Sequence, residues 1–398
     1  MGAVLIEGPK ACGKTETALQ EAESQVRLDV DERAREAAAV DPSLLLDGPT
    51  PRLIDEWQIA PEIWNHVRRA VDARPERGQF ILTGSAVPAD DATRHSGAGR
   101  IGRLLMRPMS LFESSDSTAN VSLGALLDGE PPRSSDPGLT VADVVRLMAR
   151  GGWPGHLGHS IPEALDAVRD YLGEIQRVDI SQVDGVRRDP MRVRRLLKSL
   201  ARHSATYVSN RTLASDSGGT DGPMAPHTVG EYLDSLERLM IVEDQPAWAP
   251  HLRSRSRIRS APKRHLVDPS LAVAALRATP ERLLKDLNLT GFLFESLVVR
   301  DLRIYAQAND AEVLQYRDNT GLEVDAVVEA ADGRWAAFEI KLGVGRADEA
   351  AESLLTFKDR IDTRRSGPPA ALGVIVATGF GYQRPDGVGV IPIGALGP

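Results

Sequence analysis

Leu5-Ile6-Glu7-Gly8-Pro9-Lys10-Ala11-Cys12-Gly13-Lys14-Thr15 is the stretch that decides the fold. It satisfies Gly-x-x-x-x-Gly-Lys-Ser/Thr, a loop whose backbone N–H groups cradle phosphate oxygens. The flanks agree with that reading. Residues 3–6 are an apolar run of strand character, and residues 14–22 are of helical composition. Gly8 and Gly13 let the backbone turn inward, and the helix N-terminus adds a dipole that favours an anion. In this pattern Lys14 reaches the outer phosphates and the Thr15 hydroxyl binds Mg²⁺. Gly8, Pro9, Lys10, Ala11, Cys12, Gly13, Lys14 and Thr15 are therefore the candidate phosphate-binding loop. A chance glycine-rich turn is the competing reading, and a suitable acid downstream argues against it.

Residues 25–31 read as a second short strand, and residues 32–39 as a helix broken at Asp41-Pro42. Arg52-Leu53-Ile54-Asp55-Glu56 is then an apolar strand ending in two acids. Asp55 would hold Mg²⁺, directly or through water, and Glu56 would polarise an attacking water. Solvated acids at an ordinary strand end are the alternative. Residues 79–85 form another strand, ending in small polar residues. Strand C-termini line the ligand crevice of a parallel sheet, so Thr83 or Ser85 would sense the terminal phosphate. Arg100 and Arg103 follow as candidates for stabilising phosphate charge, in cis or from a neighbouring subunit. Solvated surface arginines are the alternative for both.

Taken in order, GPKACGKT (8–15), LIDEWQ (53–58) with Pro61, FILTGS (80–85), GAGRI (97–101) and RPMSLFE (107–113) resemble a large prokaryotic family of AAA-type ATPases. In that family a C-terminal domain of uncharacterised role follows the ATPase module. The resemblance continues through Gly151-Gly152-Trp153-Pro154-Gly155 and Pro262-Lys263-Arg264-His265-Leu266-Val267-Asp268, and covers essentially the whole chain. It implies binding of ATP with Mg²⁺, ATP hydrolysis and a parallel α/β sheet. By analogy it also implies a homo-oligomer. The chain departs from the family in two places: the phosphate-loop strand starts almost at Met1, and the apolar lead into Asp55 is short. Both bear on recognition of adenine more than on binding of phosphate.

At 398 residues the chain exceeds one ordinary core. Hydrophobic content of 42% and charged content of 26% are those of a globular protein. Lys+Arg 48 against Asp+Glu 56 gives −8, so the whole is no polycation and any nucleic-acid surface is a local patch. Cys12 is the only cysteine, which excludes an intramolecular disulfide and suits a reducing cytosol. No apolar run approaches the roughly 20 residues of a membrane span. A cytoplasmic protein with no membrane partner is expected. Its domains are expected at 1–113 (ATPase), 114–140 (a Ser/Asp/Gly/Pro-rich linker), 141–265 (helical and winged-helix) and 266–398 (α/β).

In the middle, residues 161–178 read as one long helix. Residues 190–203 form a basic amphipathic helix carrying Arg192, Arg194, Arg195, Lys198 and Arg202. Helices at 210–214 and 228–240 follow, then a hairpin, which is a winged-helix pattern. Arg253, Arg255, Arg257 and Arg259 alternate along the hairpin and would share one face, where they could track DNA phosphates. A solvated hairpin is the alternative.

The last segment offers a second site. Residues 289–307 read as a helix carrying Glu295, and Asp325 lies on a strand. The returning strand carries Glu339-Ile340-Lys341, with Glu339 and Lys341 on one face because the strand period is two. Asp, hairpin, Glu-x-Lys looks like the PD-(D/E)xK nuclease fold. Asp325 and Glu339 would hold Mg²⁺ and Lys341 would orient a water, with Glu295 completing the cluster. The expected function is an ATP-hydrolysing switch with nucleic-acid- or partner-binding C-terminal modules; the alternatives are an ATP-regulated Mg²⁺-dependent nuclease and a non-enzymatic DNA-binding regulator.

Overall fold

A computed structural model describes the chain except for residues 75, 87–96, 183, 184, 187, 220, 221 and 251–261, and the side chains of residues 178 and 182. The described chain divides into two compact units. The first comprises Met1–Pro108, Ile175–Arg188 and Tyr232–Ile241; the second comprises Met109–Glu174, Asp189–Glu231 and Val242–Pro398.

The first unit is a parallel sheet with helices on it. Its strands are β1 (Ala3–Glu7), β2 (Ser24–Arg27), β3 (Arg52–Asp55), β4 (Phe80–Gly84) and β5 (Ile101–Leu105), in the order β2-β3-β4-β1-β5. Every pair is parallel, with Ala3 beside both Phe80 and Ile101. Alternation along a strand sends successive side chains to opposite faces. Leu5, Ile54, Phe80 and Leu82 accordingly join one buried core with Trp57, Ile63, Trp64 and Val67. Ile6, Leu53 and Ile81 join Ala18 in another. Helices α1 (Lys14–Leu19), α2 (Glu32–Val40) and α3 (Ile63–Ala73) are the crossovers that parallel pairing requires. Asp31 caps α2 by accepting from Ala34 N–H at 3.1 Å.

In the second unit, β6 (Val121–Ser122) and α4 (Leu123–Leu127) are followed by α5 (Val141–Arg150) and α6 (Ile161–Glu174). The long helix expected over 161–178 changes character at Ile175, where a π-helical turn runs Ile175–Asp179. Helices α7 (Pro190–Arg202) and α8 (Asn210–Asp216) are linked by Ser199 and His203, both on Asp216. A third helix, α9 (Pro226–Arg238), is divided between the units at Glu231/Tyr232. Bridges Val242–Leu266 and Gln245–Lys263 then form an antiparallel pair. The four arginines expected to line its tip lie outside the described residues.

Helix α10 (Pro269–Ala275) is buried along its length and packs on α5, α6 and α7. Helix α11 (Leu287–Ala308) leads into β7 (Ala311–Arg317), β8 (Glu323–Ala330), β9 (Trp335–Lys341), α12 (Ala347–Arg360) and β10 (Ala371–Val376). Strands β11 (Tyr382–Gln383) and β12 (Gly389–Pro392) extend the sheet to the order β11-β12-β10-β9-β8-β7. The β7/β8 and β8/β9 pairs are antiparallel, and β10 runs parallel to both β9 and β12. Phe357 and Leu354 of α12 pack into a core with Trp248, Trp335 and Val374.

Two expected boundaries are corrected. Residues 114–140 are no linker. Val121–Ser122 pairs with β13 (Leu396–Gly397), and Ser117 Oγ donates to Leu396 O at 2.7 Å. Backbone groups with sheet and hydrogen-bond partners this far along the chain are part of a fold, whatever their composition. No boundary falls at 265/266 either, because Gln245, Lys263 and His265 are buried against α11 and β8.

The small-residue signatures have structural explanations. Gly151 ends α5 at φ 74, and a Cβ there would lie 2.4 Å from Ser270 Oγ. Gly152 N–H donates to Asp268 Oδ2 at 3.0 Å, and Trp153 Nε1 donates to Ser270 Oγ at 3.1 Å. Arg300 closes the network, on Asp268 at 2.7 Å and on Asp301 at 2.6 Å, with all three side chains buried.

Candidate functional site: the phosphate loop and its acids

The loop between β1 and α1 turns through two residues of left-handed backbone, one of them the glycine expected there. Gly13 sits in the left-handed region at φ 102, and Ala11 joins it at φ 61. Gly8 is required by contact, since a Cβ there would fall 2.3 Å from Met106 O. Lys14 is buried and its Nζ donates to Gly8 O at 2.9 Å and Pro9 O at 2.8 Å. Its ammonium is therefore held against the loop backbone. Cys12 is buried, and desolvation raises its thiol pKa; a buried neutral thiol is a packing residue.

The sheet order brings the acids to the loop. Because β4 lies between β1 and β3, the polar ends of β3 and β4 stand beside the start of α1. Thr15 Oγ1 donates to Asp55 Oδ1 at 2.8 Å. Thr83 Oγ1 donates to the same Oδ1 and accepts from Glu56 N–H at 3.2 Å. Glu56 sits at φ 55, a conformation that costs a non-glycine residue about 1–3 kcal/mol. Its carboxylate is bonded by Gln58 Nε2, and by Ser85 Oγ at 3.0 Å. Thr83 and Ser85 thus hold different acids: Thr83 is bonded to the carboxylate of Asp55 and Ser85 to that of Glu56.

The donor set here fits Mg²⁺. Adjacent ligands of an octahedral ion with bonds of about 2.0–2.1 Å lie about 2.9 Å apart. The hydroxyl of Thr15 and the carboxylate of Asp55, 2.8 Å apart, meet that spacing with hard oxygen donors.

Arg100 and Arg103 are placed differently from the expectation within one chain. Arg100 precedes β5 beside the start of β1, since its carbonyl accepts from Gly2 N–H at 3.1 Å. Strands β1 and β5 run parallel, so this is the sheet edge away from the loop. The Arg100 guanidinium is on Asp72 at 2.7 Å. Arg103 is mid-strand, on Glu7 at 2.7 Å and over the Trp64 ring at 5.7 Å. Arg100 is thus held at the end of the sheet away from the loop, and Arg103 is engaged by Glu7, the residue before Gly8.

The fold adds residues that no motif marked. Arg27, at the end of β2, places Nε 3.5 Å from Asp55 Oδ2. Asp179, in the π turn, takes Lys10 Nζ at 2.6 Å. Both come from neighbouring elements rather than from the motif itself.

The second cluster assembles as expected but with one more member. Asp325 Oδ2 accepts from Ile340 N–H at 3.0 Å and from Lys341 Nζ at 3.1 Å, and Lys341 Nζ lies 2.5 Å from Glu339. The addition is Lys263, buried, with Nζ 2.7 Å from Glu295 and 3.0 Å from Asp325 Oδ1. Burial pushes the Glu295 carboxyl up to about 7, the Asp325 charge adds to that, and Lys263 works against it. Burial also raises Glu339. It would raise Asp325 too, but the charges of Lys263 and Lys341 outweigh it and hold Asp325 low. The oxygens that Mg²⁺ would need already face ammonium groups, so this donor set does not fit a divalent ion as Asp325 and Glu339 were expected to. Among the described residues no group of three or more His, Cys, Asp or Glu has metal-binding geometry.

The parallel sheet and the Gly8–Thr15 loop at the end of its β1 strand make the first unit an α/β domain of the P-loop kind. Residues 1–115 match the family model described as an AAA domain. Residues 141–282 match a domain of unknown function (DUF8612), and residues 290–396 match another (DUF4143). No curated protein matches the chain. Among solved structures, the chain is similar to the Walker-type ATPase PABY2304 of Pyrococcus abyssi, at 15% identity over 69% of this chain and 90% of that one, with a TM-score of 0.37. It is also similar to the ORC1 protein of Aeropyrum pernix solved in complex with DNA, at 12% identity over 72% and 88%, with a TM-score of 0.26. At those TM-scores neither likeness bears on function. No helix among the described residues is long and apolar enough to cross a membrane.

Proposed function

We propose that this protein is an ATP-binding, Mg²⁺-dependent ATP hydrolase of the AAA type that acts as a switch. The observation carrying the proposal is the 2.8 Å approach of Thr15 Oγ1 to Asp55 Oδ1, with Glu56 next in sequence and held by Ser85 and Gln58. The loop N–H groups and Lys14 bind the phosphates. Mg²⁺, held by Thr15 and Asp55, would neutralise phosphate charge. Glu56 accepts the proton of the attacking water. An arginine that stabilises the departing charge is best sought in a neighbouring subunit or at Arg27, given where Arg100 and Arg103 sit in cis.

The remaining modules serve as the switch's partner-binding part. Arg194, Lys198 and Arg202 lie four residues apart and are exposed on α7, which supports an anionic partner such as DNA. Helix α9 opposes that reading, since Glu231, Asp234 and Glu237 are its exposed acids. A DNA contact would therefore use the basic helix and the arginines at 253–259 rather than α9.

The test is phosphate release from ATP by the purified full chain, with Mg²⁺ or EDTA, for wild type and Lys14→Ala, with and without duplex DNA. Release that needs Mg²⁺ and is lost in Lys14→Ala is expected, with a rate that DNA changes. Equal release by Lys14→Ala would remove the proposed site. An unchanged rate with no DNA binding at low salt would remove DNA as the partner.

A further inference from the structure

We propose that Lys263 is the resident cation of the Glu295–Asp325–Glu339 cluster, and that this nuclease-like constellation is a structural lock, not a divalent-metal centre. The geometry points there from three sides. Lys263 is 3% exposed and bridges two carboxylates from different elements, Glu295 on α11 and Asp325 on β8. An ammonium buried that deeply is stable only when paired, and here it takes the position between acids where a metal would sit. Lys341 supplies the second positive charge, to Asp325 and Glu339. Three carboxylates against two ammonium groups leave one excess negative charge, which a single retained proton cancels. A divalent ion added to that set would force two like-charged groups together in a site with little water.

Lys263 is also held from behind. Its backbone pairs with Gln245 through bonds of 3.1 and 2.8 Å. Gln245 Nε2 donates to Leu314 O at 3.0 Å and Asp325 O at 2.9 Å, reaching the main chains of β7 and β8. Two residues on, and so on the same face of the strand, His265 bridges Ser296 on α11 at 3.0 Å and Gln245 at 3.1 Å. Lys263, His265 and Gln245 thus clamp the 242–248/263–266 strand pair onto α11 and the sheet. With its main chain pinned to Gln245 and its ammonium bonded to both Glu295 and Asp325, Lys263 is part of the fold and stays between the acids.

The experiment uses the full chain free of nucleotide, so that the phosphate loop contributes no MgATP site. Fe²⁺ with ascorbate cuts the backbone near any bound divalent ion, and Mn²⁺ binding is followed by titration calorimetry. In wild type we expect no cuts around Asp325 or Glu339 and no Mn²⁺ isotherm that Asp325→Asn abolishes. In Lys263→Met, which leaves the acids uncompensated, we expect a fall in melting temperature of about 5 °C or more, or no folded protein. Lys263→Arg, which keeps the charge, should recover at least half of that loss. Cuts at Asp325 or Glu339 in wild type, or Mn²⁺-dependent plasmid cleavage that Asp325→Asn abolishes, would overturn the proposal. So would Lys263→Met melting at the wild-type temperature.

Discussion

Lys10 Nζ lies 2.6 Å from Asp179 Oδ1, tying the variable part of the phosphate loop to a π-helical turn 169 residues later. Lys10 is half exposed and Asp179 is buried, so the pair is screened on one side and is worth about 1 kcal/mol or less. Its main effect is electrostatic, since it sets a carboxylate beside an anion-binding loop. Asp179→Asn is expected to tighten ATP binding, up to about fivefold for about 1 kcal/mol, with little change in melting temperature. Fluorescent-nucleotide titration checks this, and weaker binding in Asp179→Asn would contradict it.

Thr83 couples Asp55 and Glu56, the two acids proposed to act in hydrolysis, accepting from Glu56 N–H and donating to Asp55. Thr83→Val keeps the shape and removes both bonds. The orphaned buried groups should cost about 1–3 kcal/mol of stability. Hydrolysis should fall about tenfold or more, because Glu56 loses the contact that holds its strained backbone. Chemical denaturation and steady-state hydrolysis measure the two effects.

Arg300 neutralises Asp268 and Asp301 with all three buried. Removing only the cation leaves two uncompensated charges, and losses of about 3–5 kcal/mol follow from breaking such a group. Arg300→Met should therefore lower the melting temperature of the protein more than any single exposed Arg→Ala change. A loss under about 1 kcal/mol would contradict the assignment.

The Glu295 carboxyl, raised to about 7 chiefly by burial, carries a pH signature. Its ordinary value is 4.5, so the fold favours the protonated form. That stabilisation is complete below about pH 4.5 and is lost as pH rises through about 7, with an upper bound of about 3 kcal/mol. Asp325, held low, works in the opposite sense and at lower pH. The difference in melting temperature between wild type and Glu295→Gln should accordingly shrink or reverse between pH 5 and pH 8. A difference constant over that range would contradict a raised Glu295.

Much of this architecture is legible in residue order. Leu5 and Ile6, Leu53 and Ile54, and Ile81 and Leu82 are adjacent apolar pairs, and only a strand covered on both faces buries both members. The phosphate loop and Asp55-Glu56 are legible because their chemistry needs fixed types at fixed spacing. Trp335–Lys341 was readable for the same reason, since Glu339 and Lys341 share a face. Lys263 was not. It stands in a basic run that reads as a solvated surface, and its burial depends on Glu295 and Asp325, which come later in the chain. Arg27 and Asp179 carry no motif signal, because each reaches the loop through a neighbouring element. The 114–140 segment looked like a linker because Ser, Gly and Pro composition does not reveal a strand partner at Leu396–Gly397.

Single-turnover hydrolysis of ATP with Mg²⁺ by wild type and Glu56→Gln, alongside nucleotide binding by both, decides whether the phosphate loop and its acids form an ATP-hydrolysing site. Glu56→Gln keeps the shape of the side chain and removes the base. Wild type should hydrolyse ATP, and Glu56→Gln should bind it while hydrolysing about a hundredfold more slowly or worse. Hydrolysis by Glu56→Gln at the wild-type rate would remove Glu56 as the base, and no hydrolysis by wild type that has bound MgATP would remove ATP hydrolysis as the function.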